Sequence, residues 1–103
     1  MLKLMKQWFI AEKAQLVGVI HGSFPLEAAH AMERLIRTYG FSGVLRRMQN
    51  GHYAEFILEG PKSKLENLLE KLPLLPEMRG KTLKISWDEA KGRYPGFRLS
   101  LEG

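Results

Sequence analysis

The sequence predicts an α+β fold, in which a mostly antiparallel sheet carries its helices on one face. Apolar residues alternate in strand-like runs at five places and recur at helical spacing at two places. These segments follow one another in the order β-α-β-β-α-β-β. The first six match the split βαβ unit of the ferredoxin-like class, an antiparallel sheet with two helices on one face.

The first strand is predicted over residues 13–21, a run rich in β-branched side chains that contains Gly18. A glycine inside a strand indicates that another group packs closely against it. The first helix is predicted over residues 25–39, because apolar side chains recur there on one helical face. Pro25 suits the first turn of a helix and Gly40 suits its C-terminal cap.

Two further strands are predicted over residues 41–48 and 51–60. The Asn50-Gly51 pair between them is a strong hairpin signal, so these strands should pair antiparallel. The second helix is predicted from the S-x-x-E spacing of Ser63 and Glu66, which is typical of a capping box, and from the leucine stripe that follows it.

The last two strands are predicted over residues 81–87 and 97–101, where apolar and polar side chains alternate. A chain of 103 residues with 45% hydrophobic residues is long enough for one domain and too short for two. We therefore divide it into an N-terminal extension, residues 1–12, and a domain over residues 13–103. Within the extension, Leu2, Met5 and Phe9 share a helical stripe, which is more often a packing face than a membrane anchor.

Composition excludes several classes of function. The chain has no cysteine, so it has no disulfide, no cysteine zinc site and no thiol nucleophile. It shows neither an apolar run of about 20 residues nor a signal-peptide core, so we expect a cytoplasmic protein without membrane contact. The net charge of +5 suits a phosphorylated or anionic ligand. We expect no metal or other cofactor, and a protein partner stays possible.

Nucleic acid is not the expected partner. Ferredoxin-like sheets can bind RNA by stacking bases on exposed aromatic side chains. The segment from Gly51 to Phe56 departs from the sequence pattern of such sheets, and Glu55 within it would repel phosphates.

Several stretches resemble the acylphosphatase family. Residues 16–22, LVGVIHG, resemble its V-x-G-x-V-Q-G signature, and residues 40–51, GFSGVLRRMQNG, resemble its G-L-x-G-W-V-R-N-x-x-D-G. Glu59-Gly60 and residues 97–99 fit the remaining pattern, so the resemblance spans residues 13–101. It implies an acylphosphatase-like α/β sandwich and metal-independent hydrolysis of a carboxyl-phosphate anhydride. In that family, a loop with one arginine binds the phosphate and an asparagine on the next strand orients the attacking water.

Both of these family side chains are replaced here. Counted forward from Gly22, the arginine corresponds to Leu26. Counted backward from Gly40, it corresponds to Ala29, because the intervening segment is three residues longer than the family's. The asparagine corresponds to Arg47, which cannot accept a hydrogen bond from water. The segment between the later glycines is one residue longer, which we interpret as a β-bulge.

The resemblance therefore implies a degenerate catalytic site, and we assign no catalytic residue. We expect a non-catalytic anion-binding or interaction module. The alternative is a weak acylphosphatase, or a hydrolase of a small phosphate ester, that uses Arg47 and the backbone amides of residues 22–27. Because two groups of the family's site are missing together, little catalysis should remain.

The candidate anion-binding residues are His21, Gly22, Ser23 and Arg47. His21 replaces the family's glutamine and could bind an anion when protonated, but we predict it to be a polar residue that closes a strand. Ser23 could donate its hydroxyl to a phosphate, but we predict it to be the N-cap of the first helix. The loop itself leads into a helix N-terminus, where free N–H groups attract anions.

Arg47 could supply the charge that the loop has lost, since a guanidinium can bind a phosphate with two parallel hydrogen bonds. In the alternative interpretation, it is a solvated arginine beside Arg46 or an ion-pair partner of Glu27. The position of its side chain relative to the loop decides between these interpretations.

Overall fold

The secondary structure elements follow in the predicted order. They are β1 (Lys13–His21), α1 (Leu26–Arg37), β2 (Ser42–Met48), β3 (Tyr53–Pro61), α2 (Lys62–Lys71), β4 (Thr82–Glu89) and β5 (Phe97–Ser100). The computed structural model describes residues 12–101. The predicted helical stripe of Leu2, Met5 and Phe9 therefore lies outside the described residues.

The five strands form one sheet in the order β4-β1-β3-β2-β5. β1 pairs antiparallel with β3 and β4, and β2 pairs antiparallel with β3. The predicted fold class is confirmed, with one correction to the sheet: β5 runs parallel to β2. Residues 90–96 cross the end of the sheet at which β4 ends and β2 begins, and they connect β4 at one edge to β5 at the other edge. Because β5 starts at the same end of the sheet as β2, the two strands run parallel.

The hydrophobic core lies between the sheet and the two helices. Three strands and both helices contribute most of its fully buried side chains, which include Leu16, Ile20, Leu45, Phe56, Leu58, Met32, Ile36, Leu65 and Leu68. The close approach predicted at Gly18 is present, because a Cβ at this position would overlap the ring of Phe56. Gly18 thus leaves the space that lets the ring of Phe56 pack against β1.

The predicted capping box of α2 is wrong. α2 begins at Lys62, its N-cap residue is Pro61, and no side chain caps it. β3 extends to Pro61, and the N–H of Lys62 donates to the carbonyl of Glu12. The helix therefore starts before Ser63, which lies inside the first turn instead of preceding it.

The predicted β-bulge is also wrong. The pairing of β3 with β1 and with β2 continues without a skipped residue. The chain turns between β2 and β3 in a short 3₁₀ segment, Gln49–Gly51, where Gln49 and Asn50 adopt positive φ angles of 51° and 56°. The extra residue between Gly51 and Gly60 therefore does not interrupt the sheet.

Glu59 fixes the segment that crosses the end of the sheet. Its carboxylate is buried and accepts hydrogen bonds from the backbone N–H groups of Lys91 at 2.7 Å and Gly92 at 2.9 Å, and from Gln15 Nε2 at 2.9 Å. Burial acts to raise the pKa of Glu59, but these hydrogen bonds to the ionised form outweigh it and lower the pKa below its ordinary value of 4.5.

We expect the substitution Glu59→Gln to lower the free energy of unfolding by about 1–3 kcal/mol near neutral pH, because an amide has only one oxygen for three donors. Since the native pKa lies below 4.5, the contribution of Glu59 is complete above that pH and is lost as the pH falls through the native value. Urea unfolding at neutral pH and at about pH 3 checks this, and the difference between wild type and variant should shrink in acid.

The matched control is Glu66→Gln, on the exposed side of α2. It should change the free energy of unfolding by no more than about 0.5 kcal/mol at either pH. A Glu59→Gln variant as stable as wild type at neutral pH would contradict the assigned role of Glu59.

Candidate functional site

The loop between β1 and α1 is held at its centre by Phe24. The side chain of Phe24 is fully buried in the core, and its backbone N–H donates to the carbonyl of Gly51 at 2.7 Å. Gly22, at the start of the loop, has φ +121°, a conformation that side chains other than glycine rarely adopt. The loop is thus attached to the β2–β3 turn as well as to the core.

Arg47 contacts this loop directly. It lies opposite Ala54 in β3, and Ala54 lies opposite Ile20 in β1, so its side chain projects from the helix-covered face of the sheet. Its Nε donates to the carbonyl of Phe24 at 2.8 Å, and its Nη2 donates to the carbonyl of Asn50 at 3.3 Å. Arg47 therefore links the loop to the turn.

Arg46 points the other way. Successive side chains of a strand alternate between the two faces, and Arg46 pairs with Glu55 at 3.3 Å on the face without helices. Between residues 12 and 101, no carboxylate lies within ion-pair distance of Arg47, and Glu27 is not its partner. The predicted ion pair between Arg47 and Glu27 is therefore wrong, and the half-buried side chain of Arg47 contacts the loop.

The guanidinium of Arg47 retains donors for a ligand. A guanidinium carries five N–H groups, and the two backbone carbonyls use two of them. The guanidinium of Arg47 contacts Phe24, two residues before α1 begins, and the N–H groups without helical partners in the first turn of α1, together with the helix dipole, also attract anions. Glu27 in the same turn opposes this attraction.

The structure distinguishes the two positions that could correspond to the family's arginine. Leu26 is the first residue of α1 and its surface is 47% exposed. Ala29 is fully buried in the core. A side chain at position 26 is thus open to solvent at the end of the loop, whereas one at position 29 would project into the core.

The prediction that Ser23 caps α1 is wrong. The N-cap residue is Pro25, and no side chain makes a capping hydrogen bond. Because the backbone of Phe24 is attached to Gly51, the helix begins later than the sequence indicated. Ser23 is exposed within the loop, and its hydroxyl makes no capping bond to the helix.

His21 lies apart from the other candidates. It is the last residue of β1, opposite Tyr53 and Thr82. Alternation along β1 places its side chain on the face opposite to the buried Ile20, and therefore opposite to Arg47. The loop that begins at Gly22 and the side chain of Arg47 thus lie at the same end of the sheet and meet at Phe24, whereas His21 lies on the other face.

Two features of the site were not identified from the sequence. The first is Phe24, whose buried ring holds the loop against the core. In the sequence, its position as a single aromatic residue between Ser23 and Pro25 was all that indicated this role. Gly51 has φ +88°, and a Cβ there would lie 2.6 Å from Arg47 Nη2 and 2.9 Å from the carbonyl oxygen of Phe24. Only glycine allows the arginine and the loop to approach this turn so closely.

In the described part of the chain, no cluster of His, Asp or Glu side chains is arranged to hold a metal ion. No helix within residues 12–101 is long and apolar enough to cross a membrane. A cavity of about 550 Å³ lies between Gly43 and the Arg93–Arg98 segment, at the opposite end of the sheet from the loop. The anion-site hypothesis therefore rests on the loop's contacts and not on a deep pocket.

No family model matches the sequence. Individual relatives do: the acylphosphatase of Pyrobaculum calidifontis is 30% identical over 83 residues, which cover 80% of this chain and 73% of the relative. The acylphosphatase of Pyrobaculum islandicum is 29% identical over 83 residues, which cover 80% of this chain and 84% of the relative.

Solved structures agree on the fold. The acylphosphatase from Bacillus subtilis superimposes with a TM-score of 0.69 at 13% identity, over 84% of this chain and 97% of that one. The BLUF protein BlrB in its dark state superimposes with a TM-score of 0.64 at 18% identity, over 90% of this chain and 75% of that one. At such low identity, these superpositions establish the shared architecture only.

Proposed function

The chain belongs to the acylphosphatase family, and we propose that it binds a small phosphorylated or anionic ligand at the loop of residues 22–27 without efficient hydrolysis. The observation that carries this proposal is the position of Arg47. Its side chain occupies the place of the family's asparagine and hydrogen-bonds to the loop through the carbonyl of Phe24. The loop thus has a cation beside it, supplied from the neighbouring strand.

Binding is supported by the donors that meet there. Arg47 has three N–H groups that the two carbonyls do not use. The first turn of α1 contributes backbone N–H groups, and Ser23 contributes an exposed hydroxyl. These are the groups with which proteins hold phosphate oxygens. Pro25 has no N–H group and Glu27 is acidic, so we expect weak binding, in the millimolar range.

The same contacts argue against efficient hydrolysis. In the mechanism that the family resemblance implies, a side chain must accept a hydrogen bond from the attacking water, and a guanidinium has no acceptor atom. The hydrogen bond from Nε to Phe24 also holds Arg47 in this orientation. Leu26 cannot supply the charge of the missing loop arginine. Loss of one such group typically lowers a rate by about 10²–10³.

Titration with inorganic phosphate, followed by backbone amide NMR shifts, tests the binding proposal. We expect shifts confined to residues 22–28 and Arg47 at millimolar ligand. Arg47→Ala should weaken binding by about tenfold or more, because it removes the charge beside the loop. Arg46→Ala is the matched control, since it makes the same change one residue away on the opposite face and should bind like wild type.

Two results would overturn binding at this site. One is the absence of any shift near the loop at millimolar phosphate. The other is equal weakening by Arg46→Ala and Arg47→Ala, which would indicate general attraction to a basic protein. In that second case, binding would fall steeply with added salt for both variants.

A weak acylphosphatase is the second candidate, favoured by the acylphosphatase relatives and by the Arg47 donors that remain available. Arg47 and the loop amides would hold the phosphoryl group, and water would attack without a side chain to orient it. Consumption of benzoyl phosphate measures this directly. Turnover that disappears in Arg47→Ala supports this candidate, whereas binding without turnover supports the first proposal.

A further inference from the structure

The edge strand β4 presents an apolar surface that the described chain leaves open. β4 pairs with β1 on one side, and no other strand within residues 12–101 pairs with its second side. Ile85 and Trp87 on this strand are 42% and 38% exposed. They lie opposite Gly18 and Leu16 of β1, on the helix-covered face. An edge strand of eight residues with large apolar side chains is a template for pairing with another strand.

We propose that β4 pairs antiparallel with β4 of a second copy of this chain, about a twofold axis that passes midway between the Ser86 residues of the two copies. In an antiparallel pair, residues directly opposite one another share a face. The axis at Ser86 places Lys84 of each copy opposite Asp88 of the other, and Ile85 of each opposite Trp87 of the other. The sheet becomes a continuous sheet of ten strands in the dimer.

The strand is complementary to itself in this arrangement. The two Lys84–Asp88 pairs join opposite charges on the open face of the sheet, and the two Ile85–Trp87 pairs join large apolar side chains on the helix-covered face. Cross-strand pairs of both kinds stabilise sheets. A twofold interface of this kind closes on itself and produces a dimer instead of a filament.

Charge selects this register over its neighbours. An axis at Ile85 would place Lys84 opposite Ser86, and an axis at Trp87 would place Asp88 opposite Ser86. In the first case Asp88 would lie opposite Thr82, and in the second Lys84 would lie opposite Ala90, so both charged side chains would lose their opposite charge. Within one copy, Asp88 contacts Lys91 Nζ at 3.1 Å, an exposed ion pair of small energetic value that Asp88 can exchange for Lys84 of the second copy.

Sedimentation equilibrium of the full chain and of charge-swapped variants tests the proposal. Wild type should dimerise at micromolar to millimolar concentration. Lys84→Asp and Asp88→Lys should each weaken dimerisation by about tenfold or more, because each places like charges opposite one another twice. The double variant, Lys84→Asp with Asp88→Lys, restores both opposite-charge pairs and should dimerise like wild type.

Arg98→Asp, on the opposite edge strand β5, is the matched control for an acidic substitution in a strand and should leave the dimer unchanged. Hydrogen exchange in β4 should slow as the wild-type concentration rises. A wild-type protein that stays monomeric overturns the proposal. This includes a monomer in which the β4 amides exchange slowly at every concentration, because another segment or partner would then cover the strand. Single variants without effect, or a double variant that does not recover, overturn it as well.

Discussion

The double substitution Leu26→Arg and Arg47→Asn is expected to raise the rate of acyl phosphate hydrolysis by about 100-fold or more over wild type. Leu26 is the exposed first residue of α1, so an arginine there can reach the mouth of the loop. An asparagine at position 47 provides a carbonyl oxygen that can accept a hydrogen bond from water. Both groups that the family resemblance requires would then be present. Hydrolysis of benzoyl phosphate provides the measurement.

The single variants are expected to gain much less than the double variant, because groups that act together in a transition state are not additive. Leu26→Arg with Arg46→Asn is the matched control, since it changes the same residue types but leaves Arg47 in place. Arg47→Asn removes the hydrogen bond to Phe24, at a cost of about 1 kcal/mol, so folding must be verified first. A folded double variant with wild-type turnover would show that the loop's shape, not these two side chains, prevents hydrolysis.

Phe24→Ala is expected to lower the free energy of unfolding by about 3–5 kcal/mol. The ring is fully buried in the core, and its removal leaves a cavity beneath the loop. The backbone of Phe24 also holds Gly51 and Arg47 through hydrogen bonds of 2.7 Å and 2.8 Å, which depend on the ring keeping the loop in place. Urea unfolding provides the free energy, and amide exchange in residues 22–25 should accelerate.

Phe24→Leu is the variant to use if Phe24→Ala does not fold, and a loss of about 1–2 kcal/mol is expected. Leu26→Ala is the control two residues away, where an exposed side chain should contribute no more than about 0.5 kcal/mol. A Phe24→Ala variant that loses no more stability than this control would contradict the role of Phe24 as the loop's anchor.

Local sequence patterns were sufficient to predict the structure at positions where neighbouring residues in the sequence decide the backbone conformation. β1 was predicted with the bounds that it has, Lys13–His21, because β-branched residues occupy it. The close contact at Gly18 followed from a glycine inside a strand, although its partner, the ring of Phe56, lies 38 positions further along the chain. The failures were at helix starts, where Ser23 and Ser63 were predicted to cap helices that begin elsewhere.

These failures have a common physical cause. A helix cap contributes about 1 kcal/mol, so a tertiary contact of similar size can displace it. The contact between Phe24 and Gly51 decides where α1 begins, and the contact between Glu12 and Lys62 decides where α2 begins. Neither contact can be inferred from residues that are close together in the sequence.

The sequence by itself determined the order of the elements and the family resemblance. Only the tertiary structure decided what Arg47 contacts, because two neighbouring arginines in a strand differ only in which face they occupy. Pairing with β3 placed Arg46 beside Glu55 and Arg47 beside the loop. That choice depends on sheet register, which is set by the packing of the whole core.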